Sequence, residues 1–206
     1  MKLFKLALVA MVLLVNLVFA QPSWADRGKF MKSPDYAEVT QAIATLLQAK
    51  DAPDESGMTS EEIQQKLAGL QLQKYILETA KERAQCSNKT GKTLGVYLSS
   101  KKSPSTLYYL GDDETTDDDY DCNGIYLPAG TNVTFSPLVA AQELTEPLAL
   151  KIVDGTQFII TSNPETGAIE FNIPPAQTFK AGDTNWSIPM LAQADIDGQK
   201  PNAPED

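Results

Sequence analysis

Seven of the ten residues from Asp112 to Asp121 are carboxylic acids: Asp112, Asp113, Glu114, Asp117, Asp118, Asp119 and Asp121. Like charges packed this densely repel unless water solvates each of them or a shared cation neutralises them. Inside the run, Asp119-x-Asp121-x-Asn123-Gly124 matches the first half of a calcium loop, in which oxygen ligands at alternate positions converge and glycine permits the sharp turn. The second half fails, because the twelfth position is Gly130 rather than glutamate, and the flanks read as strands; the segment is not an EF-hand. Three expectations follow. One is a looser calcium site built from Asp117, Asp119, Asp121 and Asn123, with Asp112 and backbone carbonyls in support. The others are a mobile, solvated acidic hairpin tip and a docking patch for a basic partner.

Other chemistry is scarce. The chain has no histidine, which removes Ser-His-Asp and Cys-His catalysis and every zinc site that needs imidazole. Ser99-Ser100-Lys101-Lys102-Ser103 holds the atoms of a Ser-x-x-Lys pair, but that spacing is productive on a helical turn and this stretch reads as a strand end and hairpin. Glu143, Glu146, Asp154, Glu165 and Glu170 are scattered acids without visible pairing, so a hydrolase using only carboxylates is the weakest expectation. Gly91-Lys92-Thr93 lacks the upstream glycine of a phosphate loop. Tyr97, Tyr108, Tyr109, Tyr120 and Tyr126 fall in one region, where they form either a sugar- or peptide-binding face or, more simply, core and cross-strand pairs.

The start of the chain reads as an export signal. Lys2 and Lys5 precede Leu6 to Ala20, an almost purely apolar run of 15 residues that is short for a membrane span. Small-x-small cleavage patterns end at Ala20 and Ala25, and the second is preferred because a polar segment begins at Asp26. The expected boundaries are therefore a signal peptide over 1–25, with no stable membrane span after cleavage. Beyond Ala25 the chain holds 15 basic and 27 acidic residues, a net charge of −12 that disfavours nucleic acid and anionic membranes as partners. In an oxidising compartment Cys86 and Cys122, the only cysteines, are most simply one disulfide. The Ser23-Trp24-Ala25-Asp26 junction resembles those of exported cyanobacterial proteins, which implies the periplasm or thylakoid lumen; an extracellular destination is the alternative. Asn88, Asn132 and Asn185 head Asn-x-Ser/Thr sequons, which matter only in a eukaryotic secretory pathway.

Two kinds of periodicity divide the remainder. Ser33-Pro34-Asp35 starts a helix to about Lys50, with Tyr36, Val39, Ile43, Leu46 and Leu47 on one face. Thr59-Ser60-Glu61-Glu62 is a capping box. It opens either one helix to Ala84 or two helices meeting near Gly69. From Thr93 the pattern alternates, and the strand candidates are 93–99, 105–110, 124–127, 132–135, 148–153, 157–161, 168–172 and 186–191. Those at 148–153, 157–161 and 168–172 read as a meander, with Phe158-Ile159-Ile160 in a strand covered on both faces.

The expected fold is α+β: two or three N-terminal helices packed on an antiparallel β-sandwich or barrel-like sheet. A helical region spans 26–92, an antiparallel β-domain 93–194 and a disordered tail 195–206, with the disulfide stapling the helix end to the acidic hairpin. The expected function is that of an exported, non-catalytic accessory or interaction protein with a protein partner, docking on a membrane assembly through its acidic loop. A calcium-dependent binding module is the alternative.

Overall fold

Helix α1, Pro34–Asp51, begins where its capping sequence places it, with the Tyr36 amide donating to Ser33 Oγ at 3.3 Å. These details come from a computed structural model, which describes residues 28–51, 57–135, 140–183 and 186–205. The expected export segment and Asn185 lie outside the described residues. Helix α2, Ser60–Thr79, opens on the capping box: the Glu62 amide donates to Thr59 Oγ1 at 3.2 Å and the Thr59 amide to Glu62 Oε2 at 2.7 Å. It runs unbroken through Gly69 and stops at Ala80, whose backbone is extended. Leu46 of α1 meets Ile63 and Leu67 of α2, and Val39 meets Leu77, so the two helices bury their apolar stripes largely against each other. None of the helices in the described residues is long and apolar enough to cross a membrane.

Ten strands follow: β1 Gln85–Lys89, β2 Leu94–Ser100, β3 Ser103–Leu110, β4 Asp121–Leu127, β5 Asn132–Val133, β6 Gln142–Glu143, β7 Leu148–Lys151, β8 Gln157–Ser162, β9 Ile169–Phe171 and β10 Gln177–Phe179. They form two five-stranded sheets, β10-β7-β4-β2-β3 and β1-β8-β9-β5-β6. The first is antiparallel throughout; in the second, β1 runs parallel to β8 and β5 to β9. Val96, Leu98, Ile125 and Leu150 from one sheet and Cys86, Val133, Phe158 and Ile160 from the other make a single core. The α+β expectation of helices packed on a sandwich holds.

Four details depart from the sequence reading. The helical region ends at Thr79, and β1 lies inside the 26–92 span because its inward residues, Cys86 and Asn88, do not advertise an apolar alternation. The disulfide therefore does not start from a helix end. It links β1 to β4, with Cα atoms 5.9 Å apart, and so joins one sheet to the other through the core. The meander is broken at Asp154-Gly155, where the chain leaves β7 in one sheet and enters β8 in the other. Gly155 has φ +77°, and a Cβ there would fall 2.4 Å from the Ala80 side chain, so this crossing packs tightly under the end of α2. Finally, β8 is central, between β1 and β9, yet Ile159 is 39% exposed: only the face carrying Phe158 and Ile160 is covered.

The C-terminal segment is also ordered where disorder was expected. Residues 186–191 cross the outer face of the antiparallel sheet without pairing as a strand. Their carbonyls are taken by tyrosines instead, Tyr97 Oη donating to Ser187 O at 2.8 Å and Tyr126 Oη to Pro189 O at 2.7 Å. Helix α3, Gln193–Asp197, then buries Ile196 against Tyr97 and Tyr126. The Asn202 and Ala203 amides donate to Tyr109 O at 2.9 and 3.0 Å, and the Tyr109 amide to Asn202 Oδ1 at 2.8 Å. One buried isoleucine and one edge-pairing asparagine hold down a stretch whose polar, proline-containing composition reads as disordered.

Candidate functional site

The acidic segment is built onto the edge of β1. The Asn88 amide donates to Glu114 O, the Asp113 amide to Asn88 O and the Thr116 amide to Cys86 O, all at 2.9 to 3.0 Å. Thr116 is buried, and its Oγ1 accepts from the Cys86 amide at 3.0 Å. On the other side, the Asp117 amide donates to Pro204 O at 3.0 Å, and Thr116 bridges Glu205. Arg83 Nη1 donates to the carbonyl oxygens of both Asp118 and Asp119. The segment is thus hydrogen-bonded from three directions, to β1, to the C-terminal residues and to Arg83, and forms a ridge rather than a free-standing hairpin tip.

Several carboxylates serve this frame. Asp112 Oδ1 accepts from the Gly91 amide at 2.7 Å, Glu114 from the Gly111 amide, and Asp117 Oδ1 from the Asp119 amide at 2.7 Å. Asp113, held at φ +62°, pairs with Lys89 at 2.9 Å. Asp112, Asp113, Asp118 and Asp119 are exposed. Of the residues expected to bind calcium, Asp117 is turned to a local amide, Asp121 Oδ1 accepts from the Ala84 amide at 3.1 Å, and Asn123 Oδ1 is buried with no hydrogen bond. Among the described residues no group of three or more His, Cys, Asp or Glu side chains is arranged to hold a metal ion.

Asp121 belongs to a second set of charges, at the seam between helices and sandwich. Lys151 of β7 bonds Asp35 at 2.7 Å and Glu38 at 3.2 Å, both on α1, while Asp35 Oδ2 accepts the Asp154 amide at 3.1 Å. Burial, with repulsion from Asp154 and Asp35, pushes the Asp121 carboxyl up to about 6; the Ala84 amide and Arg83 only partly oppose this. Burial, then Asp35, likewise raises the Asp154 carboxyl, and Ser33 and Lys151 oppose it. For Lys151, burial disfavours the ammonium, but Asp35 and Glu38 outweigh it and its affinity for the proton is raised. Asp35, Lys151 and Asp154 were not singled out together from the sequence. The available signal was a lone lysine in the apolar run Leu148 to Val153, followed at once by an Asp-Gly turn.

The remaining candidates resolve into structural roles. Tyr97 and Tyr126 lie under the C-terminal segment, where burial raises both phenols, and Tyr97 sits 4.6 Å from the Trp186 ring. Tyr108 and Tyr120 pack on the main core. Ser100 and Ser103 hydroxyls lie 2.9 Å apart across the β2–β3 hairpin, which is not the helical turn a Ser-x-x-Lys pair needs. Asn88 is fully buried, its amide nitrogen donating to the carbonyls of Lys92, Leu110 and Gly111, so the folded chain offers no acceptor there for a glycan. Comparisons with protein-family models, with curated proteins and with solved structures found no match for this chain.

Proposed function

We propose that this chain is an exported, non-catalytic interaction protein that docks on a basic surface of a protein partner through its acidic ridge. The observation that carries this reading is the pinned backbone beneath Asp112, Asp113, Asp118 and Asp119. A charged surface held in place before binding loses little conformational freedom on association, and complementary charge speeds encounter. The paired cysteines agree with an oxidising compartment. The periplasm or thylakoid lumen, and a membrane assembly as the partner, belong to this same proposal.

The test uses immobilised chain and detergent-solubilised membranes of the source organism. A partner should be retained at low salt and released near 1 M salt, where the screening length falls to about 3 Å. The combined Asp112→Asn, Asp113→Asn, Asp118→Asn and Asp119→Asn variant should lose that partner while melting like the parent. Retention by the variant at parental strength would overturn the reading.

A further inference from the structure

The buried positions of α2 are apolar with one exception. Ile63, Leu67 and Leu77 are joined by Gln73, which is 6% exposed and stands one turn from both Leu70 and Leu77. A leucine would fill such a position without bringing a polar group inside. The chain instead places an amide there, and its Oε1 has no hydrogen bond. A buried acceptor without a donor is destabilising, so it points to something that supplies the donor.

Gln73 borders a small cavity at the seam, closed by α1, by Lys151 and Val153 and by the residues that lead into β10. On α1, Asp35, Glu38, Val39 and Ala42 recur at helical spacing and line it together. About 50 Å³ is open to the centres of water-sized molecules, room for about three or four such groups. Val39, Leu70 and Val153 make the walls apolar, while the charged groups are Asp35, Glu38 and Lys151. Lys151 donates to Asp35 at 2.7 Å and to Glu38 Oε2 at 3.2 Å and does not reach Gln73.

Two carboxylates therefore face one ammonium, and an amide carbonyl beside them lacks a donor. That balance repels an anion. The Lys151 ammonium, bonded to both carboxylates, opposes a metal ion in the same place. The complementary group is small, positively charged and rich in N–H bonds, with a short apolar stem for the walls.

We propose that this cavity binds a primary alkylammonium group, which donates to Gln73 Oε1 and to the Glu38 carboxylate while its first methylenes lie against Val39 and Leu70. The group arrives either as a free small amine or at the end of a partner's lysine side chain. The site shares no residue with the acidic ridge, so each reading can fail without the other.

The probes are n-butylamine, butyltrimethylammonium, which keeps the charge without an N–H, and N-acetyl-lysine methylamide. Each is titrated against the full chain at constant ionic strength, followed through the methyl resonances of Val39 and Leu70, which survive in every variant. A saturable shift is expected with butylamine and none with the trimethyl compound. Gln73→Leu should weaken binding about tenfold, the loss of one hydrogen bond to a charged group. It should melt no lower than the parent, because it removes an unpaired acceptor at similar volume. Glu38→Gln, at a side chain 54% exposed, should weaken binding severalfold without unfolding the chain. Binding of the lysine derivative as well as butylamine assigns the site to a partner's side chain, and binding of butylamine alone assigns it to a free amine. Absence of a saturable shift would leave a cavity that holds only water and overturns the proposal. Equal binding of the trimethyl compound, or parental affinity in both Gln73→Leu and Glu38→Gln, also overturns it.

Discussion

Replacing Asp121 by asparagine should make the protein more stable at pH 8 and change it little near pH 4. The carboxyl loses its proton at about 6 when folded, against an ordinary value of 3.8. The native state therefore holds this proton more tightly than the unfolded chain does. Its stabilising contribution is complete below 3.8 and is lost as pH rises through 6. That interval, at about 1.36 kcal/mol per pH unit, places ~3 kcal/mol between the acid and alkaline ends. Asparagine keeps an oxygen for the Ala84 amide, now 3.1 Å from Asp121 Oδ1, while removing the charge that faces Asp154 and Asp35. The expected gain at pH 8 is up to ~3 kcal/mol, reduced by whatever solvent reaches the site. Urea unfolding at pH 4, 6 and 8, followed through Trp186, measures it. A variant that loses stability at pH 8, or gains equally at all three values, would refute the assignment of an energetically costly buried charge.

Three further outcomes are expected. Cys86→Ala with Cys122→Ala should cost about 4 kcal/mol in urea, as the loop-closure model gives for the sequence separation of 36. Ile196→Ala, which empties a site 1% exposed between Tyr97 and Tyr126, should cost about 2–4 kcal/mol and shift Trp186 emission to the red. Excess calcium should leave the melting temperature within roughly 1 °C of its value in chelator. A ligand at a hundred times its dissociation constant would add about 2.7 kcal/mol, a shift of several degrees for a domain of this size. Such a shift, if lost in Asp119→Ala/Asp121→Ala, would establish the acidic segment as a cation site.

What could be read in advance was local. Ser33-Pro34 and the Thr59–Glu62 box fix the helix starts through short-range bonds, and the inward Val96, Leu98, Ile125 and Leu150 mark the sandwich. The partner of each strand depends on distant residues and was less legible. β1 escaped because Asn88, a polar residue, occupies an inward position and is satisfied there by three carbonyls. The proline-containing stretch after Trp186 escaped because its hydrogen bonds go to tyrosine hydroxyls rather than to a neighbouring strand. The acidic ridge was visible as composition, but its anchoring depends on Arg83, Thr116 and Pro204, whose meeting no spacing rule encodes. The seam was hidden for the same reason: Asp35 and Asp154 meet only after the helices dock on the sheet.

The bridge between β1 and β4 also shortens the path over which the parallel pairing of β1 with β8 must close. Gln85 and Gln157 stand opposite each other in a parallel pair, although six strands and the acidic ridge intervene along the chain. In an oxidised chain the route from β8 back to β1 need not retrace that whole length: it can leave the backbone at Cys122 and re-enter at Cys86. The loop to be closed is roughly halved, which lowers its entropic cost by about 0.6 kcal/mol. Parallel pairings of high sequence separation are slow steps in assembling a sheet. The cross-link thus makes the topology less non-local than its strand order implies.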